Sequence, residues 1–170
     1  MHKIVLTLLL AIWSNPSYAG WEFLIDEDPF EDTKIAAAMA ASDFNQSELV
    51  FKCWQGIPSA TLMGISIANE PDIEGLLDTK GISIDTRVDK GKVRSFKLSA
   101  QFFKGNTMLL TLRAGSDSNL FYFFKDVGAA KKTIAIRLRE RIHTFPVEGS
   151  TVAIREMINT CEMPPPPPEK

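Results

Sequence analysis

Along most of the chain, apolar and polar residues alternate with a period of two, the signature of half-buried strands. Between Glu48 and Trp54, the side chains of Leu49, Phe51 and Cys53 fall on one face and those of Val50, Lys52 and Trp54 on the other. The turn signal Gln55-Gly56-Ile57-Pro58 makes residues 59–67 the hairpin partner of that strand. Ile82, Ile84, Thr86 and Val88 alternate with Ser83, Asp85, Arg87 and Asp89, after which Lys90-Gly91 reverses the chain into residues 92–98. Ile134, Ile136 and Leu138 alternate with Ala135, Arg137 and Arg139, so 133–139 reads as a half-buried strand with 142–145 as its hairpin mate. Further strands are expected over 21–25 and 107–113.

Three stretches are less direct. Residues 34–41 are alanine-rich, which favours a helix, yet they sit between loop signals at the length of a strand; a strand is expected. Residues 72–78 read as a short helical turn or a loop, and 119–127, with the aromatic run Phe121-Tyr122-Phe123-Phe124, as a strand or a short helix capped by Ser118. The run is read as core or hairpin packing. At the end the period changes: Ile154, Met157, Ile158 and Cys161 fall at i, i+3, i+4 and i+7, one face of a helix starting near Ser150. Pro164 to Pro168 then impose an extended polyproline conformation that no helix can enter. The expected architecture is mainly β, an antiparallel β-sandwich or flattened barrel with one C-terminal α-helix.

Length and composition fit one globular domain: 170 residues, 45% apolar and 24% charged. The first nineteen residues have the layout of a signal peptide. His2 and Lys3 precede an apolar stretch from Ile4 to Trp13, and Ser17-Tyr18-Ala19 supplies a small-residue cleavage site. The apolar stretch is short of the ~20 residues that span a bilayer. The expected organisation is therefore a signal at 1–19, a single β-rich domain at 20–162 and a proline-rich tail at 163–170, in an exported protein that does not span the membrane. Charge is divided along the chain. Residues 20–86 hold 13 acids against Lys34, Lys52 and Lys80, whereas 87–141 hold 13 bases against Asp89, Asp117, Asp126 and Glu140. Such a division marks either an anion-binding face or two halves that neutralise one another on packing, the reading preferred here.

Cys53 and Cys161 are the only cysteines. Both fall on faces predicted to point inward, and an even pair in an oxidising compartment forms a disulfide, here clamping the last helix onto the sheet. His143 is the one histidine after the signal, and it reads as a strand residue. No zinc motif, Gly-x-Ser-x-Gly elbow or phosphate-binding glycine loop occurs. No metal, cofactor, nucleic acid or catalytic residue is expected. The acids between Asp26 and Asp32 match no calcium loop and read as a solvated loop. Arg137, Arg139 and Arg141 lie two apart; on a continuous strand they would form a basic stripe about 13 Å long, with Lys131 and Lys132 as neighbours, able to meet carboxylates or phosphates.

In order along the chain come Trp21, the segment Asp28-Pro29-Phe30-Glu31-Asp32-Thr33-Lys34, the strand Leu49-Val50-Phe51-Lys52-Cys53, Arg87-Val88-Asp89, and Phe145-Pro146-Val147-Glu148-Gly149 leading into a helix that ends at Cys161. This succession resembles the VasI/TagO-like envelope proteins associated with type VI secretion. The matching motif positions are Trp21, Asp28, Pro29, Asp32, Cys53, Arg87, Asp89, Phe145, Gly149 and Cys161. The Phe121 to Phe124 block and the proline tail depart from that family's pattern. The resemblance implies an exported, non-enzymatic accessory protein. It is expected to act by contact with an envelope or secretion-system protein, with the arginine-rich strand and the proline tail as contact elements, the tail because an extended polyproline segment loses little conformational freedom on binding. The alternative is a binder of an anionic envelope polymer or small ligand through the basic strand face; a hydrolase with paired carboxylates is a third class that nothing in the pattern encourages.

Overall fold

The computed structural model of the chain describes residues 20–28, 33–42, 47–66, 81–103, 107–113, 118–163 and 168. Within them lie nine strands: β1 (Glu22–Asp28), β2 (Thr33–Ala41), β3 (Glu48–Trp54), β4 (Ile57–Ser66), β5 (Ile82–Val88), β6 (Arg94–Phe103), β7 (Thr107–Arg113), β8 (Ile134–Leu138) and β9 (Arg141–Phe145). Two helices complete the set, α1 (Ser118–Gly128) and α2 (Ser150–Thr160). The strands form one antiparallel sheet in the order β1-β2-β3-β4-β7-β6-β5-β8-β9. The mainly β fold with a C-terminal helix holds, as a single curled sheet resembling a half-barrel, and a second helix accompanies the expected one. The signal segment, Pro29, Asp32, residues 72–78 and Pro164 to Pro167 lie outside the described residues.

The curl follows from contacts between distant strands. Trp21, just before β1, donates its backbone N–H to Glu148 O at 2.8 Å and its indole Nε1–H to Pro146 O at 2.7 Å. Both acceptors follow β9, so the two ends of the sheet meet at this seam. One face of the sheet is turned inward. On it Ala36, Ala38 and Ala40 of β2 stand opposite Cys53, Phe51 and Leu49 of β3, all buried. The alanines form a strand despite their helix propensity because their small side chains let α2 settle close on β2, a tertiary gain that overrides a weak local preference. The β3–β4 hairpin is tighter than the four-residue turn signal implies. Gln55 and Gly56 alone form the turn, both at positive φ, and Ile57 and Pro58 already belong to β4. Gly64, at φ 72, lies within the register shift between Leu62 and Ile65, where β4 is irregular against β7.

The open alternative at 119–127 resolves as helix. Leu120, Phe123, Phe124 and Val127 are buried at i, i+3, i+4 and i+7, a spacing present in the sequence but hidden among the neighbouring aromatics. Phe51 is the hub beneath them. Its ring centroid lies 5.3 Å from Trp21, 5.4 Å from Phe123 and 4.5 Å from Phe124. Beside this cluster the buried Arg94 of β6 holds Asp126 of α1 at 2.9 Å and lies over the Tyr122 ring.

The helix expected near Ser150 is α2, with Ala153, Ile154 and Met157 buried and Cys161 just past its end. Gly149 precedes it in the left-handed conformation, φ 80, and a Cβ there would stand 2.9 Å from Trp21 O. Both constraints select glycine. Gly149→Ala is expected to destabilise the protein by about 1–3 kcal/mol, from backbone strain plus displacement of the seam. A urea titration with an unchanged midpoint would show that the seam tolerates the side chain.

Candidate functional site

The Arg87-Val88-Asp89 motif lies at the end of β5, where the chain reverses. Arg87 Nε donates to Gly91 O at 3.2 Å, tying the guanidinium across its own turn. Asp89 has φ 52, and its carboxylate accepts from the backbone N–H groups of Lys131, Lys132 and Thr133 at 2.8–3.0 Å. The Thr133 N–H, with those of Lys131 and Lys132, holds the Asp89 carboxyl below the usual carboxylate range. The motif thus fixes the loop leading into β8, and it leaves the Lys131 and Lys132 side chains exposed beside it.

The three arginines do not form one stripe. Arg137 is on β8 and Arg141 begins β9, while Arg139, at φ 54, and Glu140 make the two-residue turn between them. A stripe needs a continuous strand, and Leu138 pairs with Arg141 instead. Arg137 remains on the outer face of the sheet, in a row that crosses four strands: Ser95 on β6, Asp85 on β5, Arg137 on β8 and Ile142 on β9. Arg137 donates to Asp85 at 2.6 Å, and Ser95 Oγ donates to the other carboxylate oxygen at 2.6 Å. These bonds, the arginine's first, keep the Asp85 carboxyl below its ordinary range. Asp85–Arg137 is also an ion pair between the acidic and basic stretches of the chain.

Around this row lies a groove of about 220 Å³, lined by Asp85, Thr86, Arg87, Val93, Ala135, Arg137 and Ile142. Two guanidiniums stand on neighbouring strands, and Val93 and Ile142 are 48% and 59% exposed beside them. Such a surface can hold a carboxylate against arginine while covering aliphatic carbon. Sequence reasoning identified Arg87 and Arg137 but passed over Val93 and Ile142. Ile142 lies beside the inward-facing His143 on β9, and only the register that pairs it with Arg137 reveals that it faces outward.

A second recess, of about 360 Å³, opens on β1 to β3. Leu24 and Met39 line it, and Glu22 and Glu48 contribute to its wall. Of the remaining motif residues, Asp28 ends β1, Phe145 is buried at the end of β9, and Cys53 and Cys161 lie at bonding distance with their Cα atoms 6.0 Å apart.

His143 is a strand residue, but it has a partner that the sequence did not suggest. On β9 it is 3% exposed, and its Nδ1 lies 2.8 Å from Ser47 Oγ, just before β3; Ser42 Oγ is 3.0 Å from that hydroxyl. A Ser–His bond of this length is what an activated nucleophile needs. Ser47 is fully buried, and the pair ties the segment before β3 to β9 as a strut across the curl. Nε2 has no partner among the described residues. Burial, then the Arg141 charge, pushes the imidazole below its ordinary value. A histidine with a depressed folded pKa favours the unfolded state as pH falls, because that state takes up the proton first. Stability is therefore expected to decline below about pH 6.5, by at most about 1.4 kcal/mol per pH unit from this group. The slope should shrink in His143→Asn; an unchanged pH profile in that variant would assign the effect elsewhere.

No group of three metal-ligating side chains converges among the described residues, and no helix there is long and apolar enough to cross a membrane. Comparison of the chain with known protein families, curated proteins and solved structures finds no match.

Proposed function

We infer that the chain is an exported accessory protein of a Gram-negative envelope that acts by protein–protein contact, through the groove on the outer face of β5, β8 and β9. The observation that carries this reading is the pairing of two guanidiniums, Arg87 and Arg137, with the exposed aliphatic side chains of Val93 and Ile142 on one surface. Protein interfaces favour arginine beside apolar anchors, whereas a site for a purely anionic polymer needs cations without aliphatic knobs. The signal-like first nineteen residues support export, and the succession of short motifs that resembles the VasI/TagO-like proteins supports the accessory role.

A photo-crosslinking amino acid at Ile142, introduced in cells that export the protein, tests the reading. The expected product is an adduct with a protein in the envelope fraction, on material whose mass starts at Gly20. Adducts with lipopolysaccharide or peptidoglycan that vanish at high salt would replace it with the anionic-polymer alternative. No adduct at Ile142, with productive crosslinking at exposed Lys52, would overturn both.

A further inference from the structure

We propose that a second copy of this chain occupies the groove, its acidic β1–β3 surface receiving the basic β8–β9 surface of its neighbour in a head-to-tail contact. The inference rests on the reading of the groove as a contact surface and names its occupant. Two shapes carry it. On the basic side Ile142 is a knob, more than half exposed, with Arg137 beside it in the same cross-strand row. On the acidic side the recess of about 360 Å³ has an apolar lining from Leu24 and Met39 and carboxylates from Glu22 and Glu48. An aliphatic knob flanked by guanidinium matches an apolar hollow flanked by carboxylates, in both shape and charge.

The charge division of the sequence points the same way. Glu22 and Glu48 of the recess belong to the acidic stretch, residues 20–86, and Arg87 and Arg137 of the groove to the basic one, residues 87–141, with Ile142 directly after it; Asp85, the acid in the groove's lining, is already held by Arg137. A symmetric contact is disfavoured on either side, because recess against recess sets Glu22 and Glu48 against their own copies, and groove against groove sets arginine against arginine. A head-to-tail contact that engages each patch with a different neighbour does not close at two copies and continues into a ring or a chain, whereas a reciprocal contact, each copy's knob in the other's recess, is a closed dimer.

Sedimentation of the purified protein at low salt tests this, together with two single-face variants. Ile142→Glu spoils the knob and Leu24→Arg spoils the hollow. The wild-type protein is expected to grow beyond a dimer as concentration rises and to dissociate as salt rises. Each variant alone is expected to be a monomer, whereas an equimolar mixture forms a one-to-one complex and nothing larger, because each supplies the face the other lacks. Val93→Glu and Glu48→Lys form a second pair with the same expectation, should either first variant lose its native circular dichroism. A wild-type protein that stays monomeric, a closed dimer, or a mixture that stays monomeric overturns the proposal. If the mixture fails while Ile142 crosslinks to another envelope protein, the second copy is the wrong occupant and the groove still stands as a contact surface; if both fail, both readings fall.

Discussion

Replacing Cys53 and Cys161 together by alanine is expected to lower the unfolding free energy by about 2–5 kcal/mol, one of the two largest effects of the changes considered. The pair closes a loop across a sequence separation of 108, so its loss releases much of the conformational freedom that the bond denies the unfolded chain. Alanine is the better replacement, because Cys53 is fully buried and a serine hydroxyl there would add a desolvation penalty. Guanidinium titrations of oxidised wild type and variant give the difference. Coincident midpoints would show that the two sulfurs are not joined in the folded protein.

Phe51→Ala comes next, at about 3–5 kcal/mol. Phe51 is fully buried on β3 and touches Trp21 before β1 and both Phe123 and Phe124 on α1, so one ring fills the space between the sheet, the seam and the first helix. These neighbours cannot all collapse into the void, since Trp21 is fixed at Pro146 and Glu148. Phe51→Leu should cost distinctly less by keeping most of the volume. A calorimetric scan in which alanine and leucine behave alike would move the hub elsewhere.

What could be read from the chain was what depends on neighbours in sequence. The period-two runs at Glu48–Trp54 and Ile82–Val88 match β3 and β5, the final i, i+3, i+4, i+7 face matches α2, and the two cysteines lie where one inward strand face and that helix meet. Strand order could not be read. The pairing of β4 with β7 and of β5 with β8 joins strands far apart in sequence, which leaves no mark on local pattern. The arginine stripe failed for a related reason. Arg139 adopts a left-handed turn conformation without any of the residues that announce one, so the hairpin break expected between 139 and 142 falls one residue earlier, at 139–140, and puts Arg139 in the turn. Ser47 and His143, 96 residues apart, found each other only through the curl. Of the groove, the charged members were legible by type, but the aliphatic ones needed the sheet register to show which way they face.

The seam at Trp21 sets the timetable of folding. Its hydrogen-bond partners, Pro146 and Glu148, come 125 and 127 residues later, almost the last of the domain to leave the ribosome. The seam stays open until they arrive, so the chain has a high contact order and belongs with the slow, non-local folders. Until that late segment arrives, the unclosed sheet is a hazard for aggregation and a natural target for a holding chaperone.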